Sequence, residues 1–289
     1  MGNRTGKKTE TSTTRVMINS FVIIPLLVAI SVVFIISLVK ILTTSEKDVY
    51  DYLNDIKVGG ASKRWQSAFE LSKILDNSNL IPRNDRFYQE MINAFKQSEH
   101  DDNRVRQYMA LAMGRTGDNR FIDPLLSELE DETTENKPSI IYALGLLKSS
   151  KAVEYLLPLL THEEENIRLQ TVIALGNIAD SSVIESIKNI LNDRQPNIRW
   201  DAAISLAKLG DSHGREILLD LLDEDYLTEF PDVDSRERDQ ARIIAIQAGI
   251  LLNDPVINRK IKELAEYEAN INIRKTALTV LKENTNSSN

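Results

Sequence analysis

The sequence has no cysteine and three histidines, His100, His162 and His213. Thiolate chemistry, disulfides and cysteine metal sites are therefore excluded. His162 and Glu163 form the one His-Glu pair, and the three histidines lie far apart, without the clustered ligand spacing of a zinc or iron site. There is no glycine-rich phosphate loop and no G-x-S-x-G elbow. The expectation is no catalytic centre, no metal and no cofactor. What does recur is a ladder of basic residues: Arg64, Arg106, Lys137, Arg168, Arg199, Arg242 and Arg274. Acids recur with them at Asp76, Asp118, Asp180, Asp211 and Asp254, with Ser149 as the exception. Such a ladder could line an anion-binding stripe. A fork of guanidinium donors also suits bridging between adjacent structural units.

The elements that carry the ladder are repeats. IRLQTVIALGNIAD (167–180) matches VRQYMALAMGRTGD (105–118), NKPSIIYALGLLKS (136–149) and IRWDAAISLAKLGD (198–211), each 31 residues from the next. Looser copies start at Lys63, Ala241 and Ile273. Within a copy, apolar residues fall at positions 1, 5, 8, 9 and 12, which is helical spacing. A second helical run precedes each copy across a polar break, as VEYLLPLL does before THEEEN. Each unit is a hairpin of helix A then helix B. One hairpin cannot bury both faces, so neighbours must stack. The fold class expected is an all-α solenoid of about seven hairpins over 45–284. B helices are expected near 64–76, 104–116, 137–148, 167–179, 197–209, 237–252 and 272–283.

The copies resemble the HEAT family, in particular the short repeats of phycobilisome-lyase-like proteins, whose B helix reads roughly V-R-x-x-A-x-x-A-L-G-x-I-G-D. The resemblance covers roughly Asp48 to Asn284. It implies that the second-position Arg ties neighbouring repeats together through carboxylates and carbonyls, so the ladder is read as structural. It also raises two enzymatic alternatives. Deoxyhypusine hydroxylases share the repeat and bind iron through His-Glu pairs on repeated helices. Here those positions carry Arg168-Leu169 and Arg199-Trp200. A lyase acting on a bilin is the other alternative, and it rests on the repeat alone, which does not carry function. A structural subunit of a membrane complex is a third reading.

The N-terminus reads differently. Residues 1–15 form a basic tail with Arg4, Lys7, Lys8 and Arg15. Val16–Val39 carries no charge, and residues 16–41 are expected to form a transmembrane signal anchor. The basic excess before it predicts a cytoplasmic N-terminus and a solenoid on the periplasmic side. The net charge is −8 in all, and the chain beyond the basic tail is more acidic still, which argues against nucleic acid. Residues 285–289 form a polar tail.

What remains is surface. Positions 3 and 7 of each B helix point away from the core at 100° per residue. They carry Trp65, Phe69, Leu111, Tyr142, Leu169, Ile173, Trp200 and Ile204, large apolar groups of the kind that anchor protein interfaces. An insertion over 223–239 adds Tyr226 and Phe230. Either these residues await a partner, or other parts of the chain cover them. The functional expectation is a membrane-anchored scaffold that holds a membrane-associated protein partner on this face, which the resemblance makes concave.

Overall fold

In the computed structural model the described residues are 24–43, 47–130 and 132–287. They divide into two compact units at Asp48/Val49. The first contains helix α1 (Ile24–Thr43). The basic tail, residues 16–23 and the last two residues of the polar tail lie outside the described residues. Among the described residues no helix is long and apolar enough to cross a membrane, which corrects the expected span over 16–41. The run of α1 before Lys40 covers about 24 Å at 1.5 Å per residue, short of a hydrocarbon core of about 30 Å. The membrane location and the orientation inferred from that span fall with it.

Every regular element among the described residues of the second unit is a helix. Its A helices are α2 (Val49–Val58), α4 (Asp85–Gln97), α6 (Ile122–Leu129), α8 (Val153–Leu156, extended by a 3-10 turn to Thr161), α10 (Ile184–Ile190), α12 (Arg215–Leu221) and α15 (Pro255–Tyr267). Its B helices are α3 (Ala61–Ile74), α5 (Asn103–Arg115), α7 (Lys137–Leu147), α9 (Glu165–Ile178), α11 (Pro196–Lys208), α14 (Ser235–Gly249) and α16 (Ile271–Ser287). A short helix, α13 (Glu224–Thr228), interrupts the sixth hairpin. Each B helix packs against the next along the row. The all-α solenoid of seven hairpins is therefore present, with B-helix ends within a few residues of those the register predicts.

The recurring residues each have a task. Asp118, Asp180, Asp211 and Asp254 follow a B helix and accept from the N–H of Arg120, Ser182, His213 and Val256 at 2.9–3.0 Å; Asp118, Asp180 and Asp254 thereby cap the next helical segment, and Asp211 closes the turn before α12. Ser149 does the same for Lys151, so the one exception to the acid keeps its function. The residue just before Asp118, Ser149, Asp180 and Asp211 adopts a left-handed backbone at Gly117, Lys148, Ala179 and Gly210, again 31 residues apart.

The glycine of the A-L-G core exists because B helices touch. A Cβ on Gly114 would lie 2.8 Å from Ala143 Cα, on Gly145 2.7 Å from Ala174 Cα, and on Gly176 2.2 Å from Ser205 Oγ. Small faces small from repeat to repeat, which lets α5, α7, α9 and α11 approach closely.

The basic ladder fastens the turns. Arg106, Lys137, Arg168, Arg199 and Arg274 each donate to a carbonyl of their own A–B turn or helix end: Phe95, Glu130, His162, Asp193 and Glu268, at 2.9, 3.1, 2.9, 2.9 and 2.8 Å. Four of the arginines also reach a carboxylate in the next repeat's turn. Arg64 pairs with Asp101 at 2.9 Å, Arg168 grips both oxygens of Asp193 at 2.8 and 3.1 Å, Arg106 pairs with Glu132, and Arg242 with Glu268. Burial pushes the Asp193 carboxyl up, but the Arg168 guanidinium and the Gln195 N–H outweigh it and hold the group below the usual carboxylate range.

Two outcomes follow from this packing. Gly145→Ala forces a methyl into the Ala174 backbone and should cost about 1–3 kcal/mol in urea denaturation, with an unchanged slope. Arg168→Ala leaves the Asp193 carboxylate buried without its partner and should cost about 3–5 kcal/mol at pH 7. That loss should shrink in acid, because a carboxylate with a depressed folded pKa contributes stability only while it is ionised.

Candidate functional site: the outward face of the B-helix row

Positions 3 and 7 of the B helices line three cavities that follow one another along the row. Over α5, α7 and α9, Gln107, Leu111, Pro138 and Tyr142 border a cavity of about 400 Å³. Tyr142 is 37% exposed, and Leu111, Leu169 and Ile173 are half-buried. At the first repeat Phe69 is exposed and meets Tyr108 edge-on at 5.1 Å, while the Arg104 guanidinium lies 4.3 Å from the Trp65 ring centre. At the far end, Gln247, Lys275 and Thr279 line a cavity of about 840 Å³ between α14 and α16.

The middle cavity differs. It holds about 590 Å³ between α11, α14 and the insertion. Here the expectation that Trp200 and Ile204 await a partner is corrected, because the chain covers them itself. Trp200 is 7% exposed and Ile204 4%. The inserted helix α13 carries Tyr226, and Phe230 follows just beyond its end. Both rings meet Trp200 edge-on, at 6.3 and 5.0 Å, and each other at 5.2 Å. Trp200 Nε1 donates to Tyr226 Oη at 3.2 Å, which satisfies the indole as its face is buried. The insertion is fixed at both ends: Asp223 caps α13, and Asp234 with Glu237 forms a capping box at the start of α14. Tyr226 and Phe230 are thus half-buried, and Phe230 forms part of the cavity wall.

The pocket under this cover has apolar walls from Trp200, Ile204, Leu221, Phe230, Val233 and Ile244, and four carboxylates: Glu165, Asp201, Asp232 and Glu237. None of its lining residues is basic. Burial pushes Asp201 up to about 6 against the opposing pull of Lys208. Among the described residues Asp201 has no hydrogen-bond donor. Position 4 of the other copies carries Gln66, Tyr108, Ser139, Gln170, Ile244 and Thr276, so an acid at this position is peculiar to the fifth repeat. That departure was visible in the sequence; the pocket around it was not.

The histidines take no part. His162 accepts the Glu164 N–H through Nδ1, and His213 sits beside Asp211 in a turn. Among the described residues no group of three or more histidine, aspartate and glutamate side chains could hold a metal ion.

A row of stacked helical hairpins with an open B face is the architecture of an α-solenoid repeat protein. Residues 91–167 and 153–229 match the family model described as HEAT repeats, so this stretch of the chain is built of HEAT repeats. Comparison with curated proteins returned no match. Among solved structures, the complex of CpcE and CpcF of phycocyanin lyase from Nostoc sp. PCC7120 is similar at a TM-score of 0.61 and 18% identity, covering 84% of this chain and 90% of that one. That likeness is one of fold. Human deoxyhypusine hydroxylase aligns at a TM-score of 0.35 and 14% identity, over 81% of this chain and 83% of that one. A designed armadillo repeat protein in complex with peptide (KR)4 aligns at 0.40 and 17%, over 82% and 99%. At those scores neither bears on the site.

Asp201 costs the fold stability whenever it is charged. Its raised pKa means that the folded state holds the proton more tightly, so the cost is full above about pH 6 and is relieved as the pH falls towards 3.8. Asp201→Asn should therefore stabilise the protein by up to about 2–3 kcal/mol at pH 8, with the gain fading below pH 6 and gone near pH 4, read by denaturation at each pH.

Proposed function

We propose that this protein is a repeat scaffold that binds a protein partner along the outward face of its B helices. One observation carries the reading. At the fifth repeat the apolar pair at positions 3 and 7 is roofed by the chain's own insertion, whereas Leu111, Tyr142, Leu169 and Ile173 over α5–α9 have no such roof among the described residues. Large apolar groups in a continuous strip favour association, and covering one fully is worth about 1.5–3 kcal/mol. Two or three of them are enough to anchor a peptide or helix. The similar solenoid of phycocyanin lyase is itself seen as a complex of two proteins. The cavities beside the strip suit projecting side chains of a bound segment.

Site-specific photo-crosslinking in cells tests this directly. A benzophenone amino acid at Tyr142 or Leu169 of the full chain should give discrete adducts, which Leu111→Asp with Ile173→Asp abolishes. The same probe at Tyr155 or Glu185, exposed on A helices, should give none. Equal adducts from both faces, or none from the B face, would end this reading.

A further inference from the structure

The pocket at the fifth repeat is more selective than the strip beside it. Resting on the partner-binding reading of this face, we propose that it receives a lysine or arginine side chain of the bound partner segment.

The chemistry of the lining points to a cation carried on an apolar stem. Four carboxylates from three helices and the insertion converge on one cavity with no basic residue among them. Elsewhere in this fold inward-facing carboxylates have a cationic partner: Asp55 has Lys63, Asp101 has Arg64, Glu132 has Arg106, Asp193 has Arg168 and Glu268 has Arg242. Asp201 breaks that rule. Its one opposing cation, Lys208, lies on its own helix and donates to Asn177 Oδ1 at 3.0 Å. A half-buried carboxylate without a donor at the wall of an open cavity is poised to take one from outside.

The shape agrees. Trp200, Ile204, Phe230 and Ile244 offer apolar and aromatic surface along which methylene groups lie, and the carboxylates stand at the same cavity to meet the charged end. A free metal ion is a poor occupant, since no three carboxylates among the described residues are close enough to share one. An anion would face only like charge. A wholly apolar side chain would leave Asp201 without a donor.

The test uses the purified full chain and fluorescein-labelled nine-residue peptides of serine and leucine, identical but for a central lysine, arginine, glutamine or glutamate. Anisotropy titrations should rank lysine and arginine at least about tenfold above glutamine, with glutamate weakest. Asp201→Asn should erase that preference while leaving the glutamine peptide unchanged. Because the same substitution is expected to stabilise the fold, lost binding there cannot be read as unfolding. Equal binding of all peptides, or a lysine preference that survives Asp201→Asn, overturns the proposal. So does a tenfold gain in peptide affinity on deleting residues 1–15, which would make the chain's own basic stretch the occupant. If peptide selectivity fails while crosslinking at Tyr142 persists, only this inference falls. If crosslinking fails as well, the partner-binding reading goes with it.

Discussion

The arginine at the second position of each B helix is the interaction on which the stack depends. It is planted on one repeat, donates to the carbonyls of that repeat's own turn, and reaches a carboxylate in the turn of the next. A helical hairpin leaves carbonyls at the end of its A helix without partners. In a solenoid those ends are partly enclosed by the neighbour, so a long side chain with several fixed donors must serve both. Arg106 and Arg168 do so while buried, and Arg242, also buried, reaches the carboxylates of Glu224 and Glu268. Lys137 shows the limit: its ammonium reaches the Glu130 carbonyl and, among the described residues, no carboxylate, where the guanidinium fork reaches both.

With the turns fastened on one side and glycine set against alanine or serine between B helices, little freedom remains in how repeats sit on one another. The consequence for function is a rigid row whose outward face is not needed for stacking. Apolar residues there pack in part against the core, Trp65 and Leu169 at its edge and Trp200 and Ile204 within it. The fifth and sixth repeats use that face differently. Glu224, which stands about one repeat-offset beyond Arg199, pairs instead with Arg242 at 3.4 Å, and Arg199 is left with carbonyls among the described residues. The insertion thus interrupts the ladder at the place where it builds a pocket.

That pocket carries a cost the rest of the fold avoids. A carboxylate without a donor, its proton held up to about pH 6 by burial, destabilises the folded state at neutral pH. Sites that bind often hold such uncompensated groups, because the ligand supplies the missing partner.

The sequence by itself determined the repeat. Period, helical phase, the capping acids and the basic ladder are all local or fixed-spacing properties, and each of these could be read because every copy imposes the same constraint on the same position. It also marked the B-helix face and the insertion with Tyr226 and Phe230. Only the tertiary structure decided what lies over that face. Whether Trp200 meets a partner or its own chain depends on how seventeen inserted residues fold back, and no periodicity governs a segment that occurs once. Asp201 was equally silent: an acid on a helix reads as solvated until the neighbouring elements that desolvate it are in place. The apolar run at the N-terminus shows the same limit from the other side. Composition suggested a span, while the described helix begins eight residues later, at Ile24, and is too short in its apolar part to be one. Spacing is written in the chain; burial is a property of what packs against it.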